Sequence, residues 1–111
     1  MRRQVNDGIK RLAMNDKQYF VYILASKRNG TLYAGVTSNL IKRVSQHKQN
    51  KVECFTKKYS VHILVYYEVY KNIDVAITCE KRIKKWNRKW KMELIEGKNP
   101  EWDDLYLSLG K

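Results

Sequence analysis

Three groups of side chains in this chain have the types and spacing that phosphodiester chemistry uses. Tyr22 and Tyr33 sit eleven residues apart on either side of a turn, each on one face of its own extended segment. If the segments paired with Tyr22 opposite Tyr33, the loop centre would fall between Lys27 and Arg28 and the two rings would meet. Two phenols side by side can orient a water and a phosphate; the plainer reading is a cross-strand aromatic pair that stabilises a sheet by about 0.2–1 kcal/mol. Arg43 and His47 are spaced i, i+4 and share one side of a short helix. A guanidinium grips phosphate oxygens and an imidazole takes or gives a proton; the plainer reading is a solvated basic helix face. Glu80 borders the apolar stripe of a strongly basic helix, an unusual place for a carboxylate unless it holds something. Its plainer employment is an i, i+4 ion pair with Lys84. Between Tyr19 and Met92 only Glu53, Glu68, Asp74 and Glu80 are acidic, so any metal or acid–base role in that span falls to one of these four.

The elements that must position these groups follow from periodicity. Tyr19–Ala25 is a continuous apolar and aromatic run that reads as a strand buried on both faces, and Thr31–Val36 reads as its hairpin partner across the Asn29-Gly30 turn. Thr37, Ser38 and Asn39 offer caps for a helix over Leu40–Lys48, with Leu40 and Val44 inward. Gln49–Tyr59 is polar and loop-like, and Val61–Val69 reads as a third strand. A long helical stretch capped by Asp74 carries Ala76, Ile77, Ile83, Trp86, Trp90 and Leu94 on its apolar stripe, with Asn87 placed to break it in two. Gly97 and Pro100 end it, and Glu101–Leu109 reads as a last short helix. The order β-β-α-β-α-α makes an α+β domain with a small, mostly antiparallel sheet over residues 19–111. A basic arm, residues 1–18, precedes it.

Charge narrows the function classes. The 111 residues hold 23 Lys+Arg against 11 Asp+Glu, a net charge of +12, which calls for a polyanionic partner. The excess is uneven: residues 19–48 hold five basic and no acidic residues, and seven of the eleven residues from Lys81 to Lys91 are basic, with Trp86 and Trp90 interleaved. Basic residues among aromatics suit a nucleic-acid face, although the spacing of the two tryptophans continues the apolar stripe and so favours the core. The longest apolar run is far too short to span a bilayer, and no secretory signal is visible. Cys54 and Cys79, 25 apart and outside any CxxC pattern, read as reduced thiols of a cytoplasmic protein. Nothing points to a membrane or an obligate protein partner.

In order along the chain, Phe20-Val21-Tyr22, Tyr33-Ala34-Gly35 and Asn39-Leu40-Ile41-Lys42-Arg43 resemble the GIY-YIG nuclease superfamily. The resemblance extends to Phe55–Tyr59, Glu80–Trp86 and Asn99–Trp102, and is greatest to the small stand-alone bacterial branch related to the N-terminal nuclease domain of the UvrC repair endonuclease. It implies a three-stranded antiparallel sheet between helices and a divalent-metal-dependent DNA endonuclease using one Mg²⁺ or Mn²⁺ ion. Structure-selective action in repair or processing is one form of that activity. The alternative is a non-catalytic or weakly catalytic nucleic-acid-binding module on the same fold, with RNA as well as DNA among its partners. By resemblance Tyr22, Tyr33, Arg43, His47, Glu80 and Asn99 are the catalytic positions, Glu80 being also the metal ligand. Lys27, Arg28, Lys42, Lys57, Lys58, Lys84 and Lys85 are the expected nucleic-acid contacts. Two departures matter. Phe20 replaces the first glycine, and Val36 then Thr37 stand where repair relatives carry a lysine after the second. That lysine's help in lowering a tyrosine pKa is missing here, which gives His47 more weight.

Overall fold

The structure, a computed structural model, describes residues 17–49 and 60–109. Strands β1 (Tyr19–Ala25) and β2 (Leu32–Thr37) are followed by helix α1 (Leu40–Lys48), strand β3 (Ile63–Tyr70) and helices α2 (Ile73–Lys85) and α3 (Arg88–Lys98), and a 3₁₀ turn spans Leu105–Ser108. The sheet is antiparallel throughout, in the order β2-β1-β3. This is the expected α+β arrangement, and the apolar run of β1 is explained by its central place: Val21 to Ala25 are all buried because both faces of that strand are covered. On one face Val21, Ile23, Ala25, Ala34 and Val65 pack against Ala76 and Ile83 of α2 and Ile95 of α3. On the other, Tyr22, Leu24 and Leu64 pack against Leu40 and Val44 of α1.

The hairpin register differs from the expected one. Leu24 lies opposite Tyr33 and Tyr22 opposite Gly35, so the two tyrosines are diagonal neighbours on one face instead of a direct pair. The cause is the turn. Ser26 N donates to Thr31 O (3.0 Å) and Gly30 N to Lys27 O (2.9 Å), closing a four-residue loop over 27–30 with Asn29 left-handed at φ 60°. The loop centre therefore falls one residue later than between Lys27 and Arg28, and the pairing slides by two. The tip is held from outside, since Arg88 Nη2 donates to the carbonyls of Asn29 and Gly30 at 2.6 Å each.

Caps set the helix boundaries. Asn39 Oδ1 accepts from Lys42 N (3.1 Å) and starts α1 as expected. For α2 the cap is Asn72, which accepts from Asp74 N and Val75 N, so Asp74 lies in the first turn and does not cap it. Asn87 does break the long stretch, accepting from Trp90 N at 2.9 Å to start α3. The restart changes the helical phase. Trp90 is half-exposed (52%) and meets Trp86 edge-on at 5.9 Å, so only Trp86 of the expected core pair packs on the core. Gly97 lies within α3, which ends at Lys98, and the last expected helix is the single 3₁₀ turn.

A bulge in β3 ties the chain's end to the sheet. Ile23 faces Tyr66 while Leu24 faces Leu64, leaving Val65 as the extra residue. Its carbonyl accepts Asn99 Nδ2 at 3.1 Å. Lys48, at the end of α1, donates to Asp104 Oδ2 (2.6 Å) and His62 O (2.9 Å), fastening α1 and the 3₁₀ turn to β3. Cys79 is a free thiol 3.1 Å from the Tyr70 hydroxyl; Cys54 lies outside the described residues, as does the expected basic arm apart from Lys17 and Gln18. Among the described residues no helix is long and apolar enough to cross a membrane.

Candidate functional site at the β2 edge

The α1 face of the sheet gathers most of the chemistry-bearing residues. Leu40, Val44 and His47 form the buried side of α1, because positions i, i+4 and i+7 of a helix share a face. That places His47 fully buried against β1, where its Nε2 lies 3.2 Å from the Tyr22 hydroxyl. The ring of His47 lies 6.0 Å from that of Tyr22 and 5.5 Å from that of Tyr33, so one imidazole bridges the two phenols. Arg43, one turn earlier on α1, is partly buried. Gly35 makes the cluster possible. A Cβ there would stand 2.5 Å from Tyr22 Oη and 2.7 Å from Cζ, so the tyrosine ring occupies the space that a side chain would need.

Glu80 joins this cluster through Lys84. Its carboxylate is 10% exposed and its Oε2 accepts Lys84 Nζ at 2.7 Å, the ion pair that the spacing offers. The same ammonium lies 5.8 Å from the centre of the Tyr33 ring, within cation–π range. A continuous line of contacts thus runs Tyr22–His47–Tyr33–Lys84–Glu80 around the edge strand β2. None of the other candidate acids is shown at this cluster. Glu68 takes Lys98 Nζ and the Tyr66 hydroxyl, each at 2.7 Å, and these bonds, Lys98 first, hold its carboxyl below the usual range. Asp74 is exposed at the start of α2, and Glu53 lies outside the described residues.

Asn99 is not among the residues brought together. Its amide is divided between the Val65 carbonyl at the bulge, the Asp103 carbonyl (2.9 Å) and Asp103 N (3.0 Å), and it caps α3 beside β3, the strand farthest from β2. Replacing Asn99 by alanine is expected to lower stability by about 2 kcal/mol, since three buried or half-buried bonds are lost. Urea unfolding measures it, and nucleic-acid affinity of the folded variant should stay at the parent's value.

Of the expected nucleic-acid contacts, Lys27 and Arg28 project from the hairpin tip, Arg28 standing 3.6 Å from Glu101 with both side chains well exposed. Lys42, Lys84 and Lys85 are exposed on their helices, and Lys57 and Lys58 lie outside the described residues. Sequence reasoning missed Lys91, which together with Lys84 borders a cavity beside Tyr33. Its signal was only one lysine among many. Among the described residues no three His, Cys, Asp or Glu side chains converge as a metal cage. The donor set is a single carboxylate, which fits Mg²⁺ or Mn²⁺ only in the open manner where waters and substrate phosphate supply the other ligands.

Residues 18–93 match the family described as the GIY-YIG catalytic domain. The chain belongs to the GIY-YIG family. It is 34% identical over 79 residues to a UPF0213 protein of Staphylococcus haemolyticus, covering 71% of this chain and 95% of the relative. It is 38% identical over 80 residues to one of Clostridium perfringens, covering 72% and 85%. The solution structure of a UPF0213 protein from Bacillus halodurans has the same fold, with a TM-score of 0.51 at 23% identity over 85% of this chain and 98% of that one. The family match takes in Tyr22, Tyr33, Arg43, His47 and Glu80 and stops short of Asn99.

Proposed function

We propose that this GIY-YIG chain is a nucleic-acid-binding protein that grips a phosphodiester backbone along the β2 edge. The observation that carries it is the placement of Lys84. By pairing with Glu80 it cancels the one negative charge of the cluster, so the aromatic ring of Tyr33 stands beside an edge whose remaining charge, that of Arg43 included, is positive. Lys27, Arg28, Lys42 and Lys85 extend the positive charge on exposed positions of the turn, α1 and α2. That combination suits a polyanion whose bases carry π-faces, and it needs no metal to act.

A second reading, cleavage of the bound DNA, has its own support in the hydrogen bond between Tyr22 and His47. A phenol ordinarily loses its proton near pH 10, so a neutral-pH role as base requires a partner for that proton, and the His47 imidazole lies 3.2 Å away. Tyr22 would orient the attacking water, Tyr33 would hold it against the phosphate, and Arg43 would neutralise charge developing on the phosphoryl oxygens. Glu80 is the carboxylate that would hold a divalent ion, and the chemistry such an ion supplies when bound is polarisation of the scissile phosphate. The kinship to UvrC-type repair nucleases and a place in DNA repair belong to this reading.

Binding of labelled DNA to the full chain, measured by anisotropy across a range of NaCl, tests the first reading. Affinity should fall steeply with salt, and Lys42→Ala and Lys84→Ala should each remove about one unit of the log–log slope. A shallow slope that neither variant alters sinks it. Supercoiled plasmid with Mn²⁺ or Mg²⁺, against the same mixture with EDTA, separates the two: metal-dependent nicking establishes cleavage, and its absence leaves a binding module.

A further inference from the structure

Beside the site, between the edge strand β2 and the two helices on the other face, lies a cavity of about 310 Å³ lined by Ile23, Leu32, Tyr33, Ala34, Lys84 and Lys91. Its floor is aliphatic, made by Ile23 and Ala34 of the buried core and by the half-buried Leu32, with Tyr33 as an aromatic flank. Its two charged lining residues are both lysines, one from α2 and one from α3. It shares Tyr33 and Lys84 with the line of contacts that runs to His47 and Glu80, so a strand lying on that line passes its mouth.

We infer that this cavity seats one unpaired nucleobase of a strand bound across the β2 edge, which makes the ligand class single-stranded or locally unpaired nucleic acid. The inference rests on the reading that the chain binds nucleic acid, and it names which form. The match is chemical. A base presents apolar faces that gain from an aliphatic and aromatic enclosure, while the phosphates on either side of it must stay at the rim near cations. Lys91 of α3 supplies a cation for a flanking phosphate, and Lys84 of α2, by neutralising Glu80, keeps the other side of the rim from repelling one. A paired base cannot enter without unstacking at a cost of a few kcal/mol, so the cavity favours strands in which that cost has already been met.

The test compares a short oligothymidylate with an abasic strand of the same length and charge, both bound to the full chain at the same salt. The base-bearing strand should bind about tenfold more tightly, the order of effect that stacking one base gives. In a ¹⁵N-labelled sample, the amide signals of Leu32, Ala34 and Lys91 should move with oligothymidylate and stay in place with the abasic strand. In Leu32→Asp the difference between the strands should vanish while a steep salt dependence persists. Because the signal shifts are read on the parent chain, the result does not hang on that variant folding. Equal affinities for the two strands, both steeply salt-dependent, would overturn the base seat and leave the binding reading standing. Absence of binding to either would remove both. Thymidine monophosphate or decanoate saturating the same amide shifts as tightly as the strand would also overturn the inference, since the cavity would then serve a free nucleotide or an anionic amphiphile.

Discussion

Replacing Gly35 by alanine lowers the stability of this fold by about 3 kcal/mol, the sum of an overpacked core and a lost buried hydrogen bond. Gly35 sits opposite Tyr22 across the β1–β2 pair, and its φ lies outside the left-handed region, so backbone freedom is not what the glycine provides. It provides room. The added Cβ meets Tyr22 Oη at 2.5 Å and Cζ at 2.7 Å, and the ring, only 1% exposed, is enclosed by Leu24, Leu40 and Val44. If the ring moves away, its hydroxyl leaves His47 Nε2; if it stays, the strands must part. Urea unfolding reads the loss. The decisive control is the same substitution in a Tyr22→Ala background, where the penalty should drop below about 1 kcal/mol because the colliding atoms are gone. A penalty that persists there would mean that Gly35 is needed by the strand itself, and the packing account of the cluster would fail.

The same residues indicate what a sequence can and cannot reveal here. The span of β1 and that of α1 were legible because their signals are local: an uninterrupted apolar run for a strand covered on both faces, and an Asn39 cap before a short apolar stripe. The hairpin was legible but its register was not, since sliding the closing pair to Ser26 and Thr31 depends on Asn29, and not only Gly30, taking part in the turn. Asp74 and Asn72 are both good caps in isolation; which one starts the helix depends on where the chain leaves β3. Trp90 was assigned to the core by a period that Asn87 resets. The proximity of Tyr22, Tyr33 and His47 was half legible: the faces could be read, whereas the bridging position of the imidazole needs the packing of α1 on the sheet. The employment of Asn99 was invisible, because it answers a bulge that arises only when β3 pairs with β1.

With Tyr22 changed to phenylalanine, any divalent-ion-dependent nicking by the chain falls by about a hundredfold or more, the scale of a lost proton-transfer group. Affinity for DNA at fixed salt should change less than twofold. The split is expected because the hydroxyl is buried beside His47, so binding through exposed lysines does not depend on it. Stability should drop by only about 1 kcal/mol, the value of one hydrogen bond, since the phenylalanine ring fills the same space beside Gly35. Glu80→Gln provides the contrast. It keeps the shape of the side chain but weakens both the hold on Lys84 and any hold on a cation, so it should abolish nicking at low metal concentration and recover part of it at high concentration. A Tyr22→Phe chain that nicks at the parent rate, having lost only its hydrogen bond's worth of stability, would make the tyrosine a packing residue. Cleavage would then lose its one geometric support, and the cationic edge of β2 would be left with binding alone.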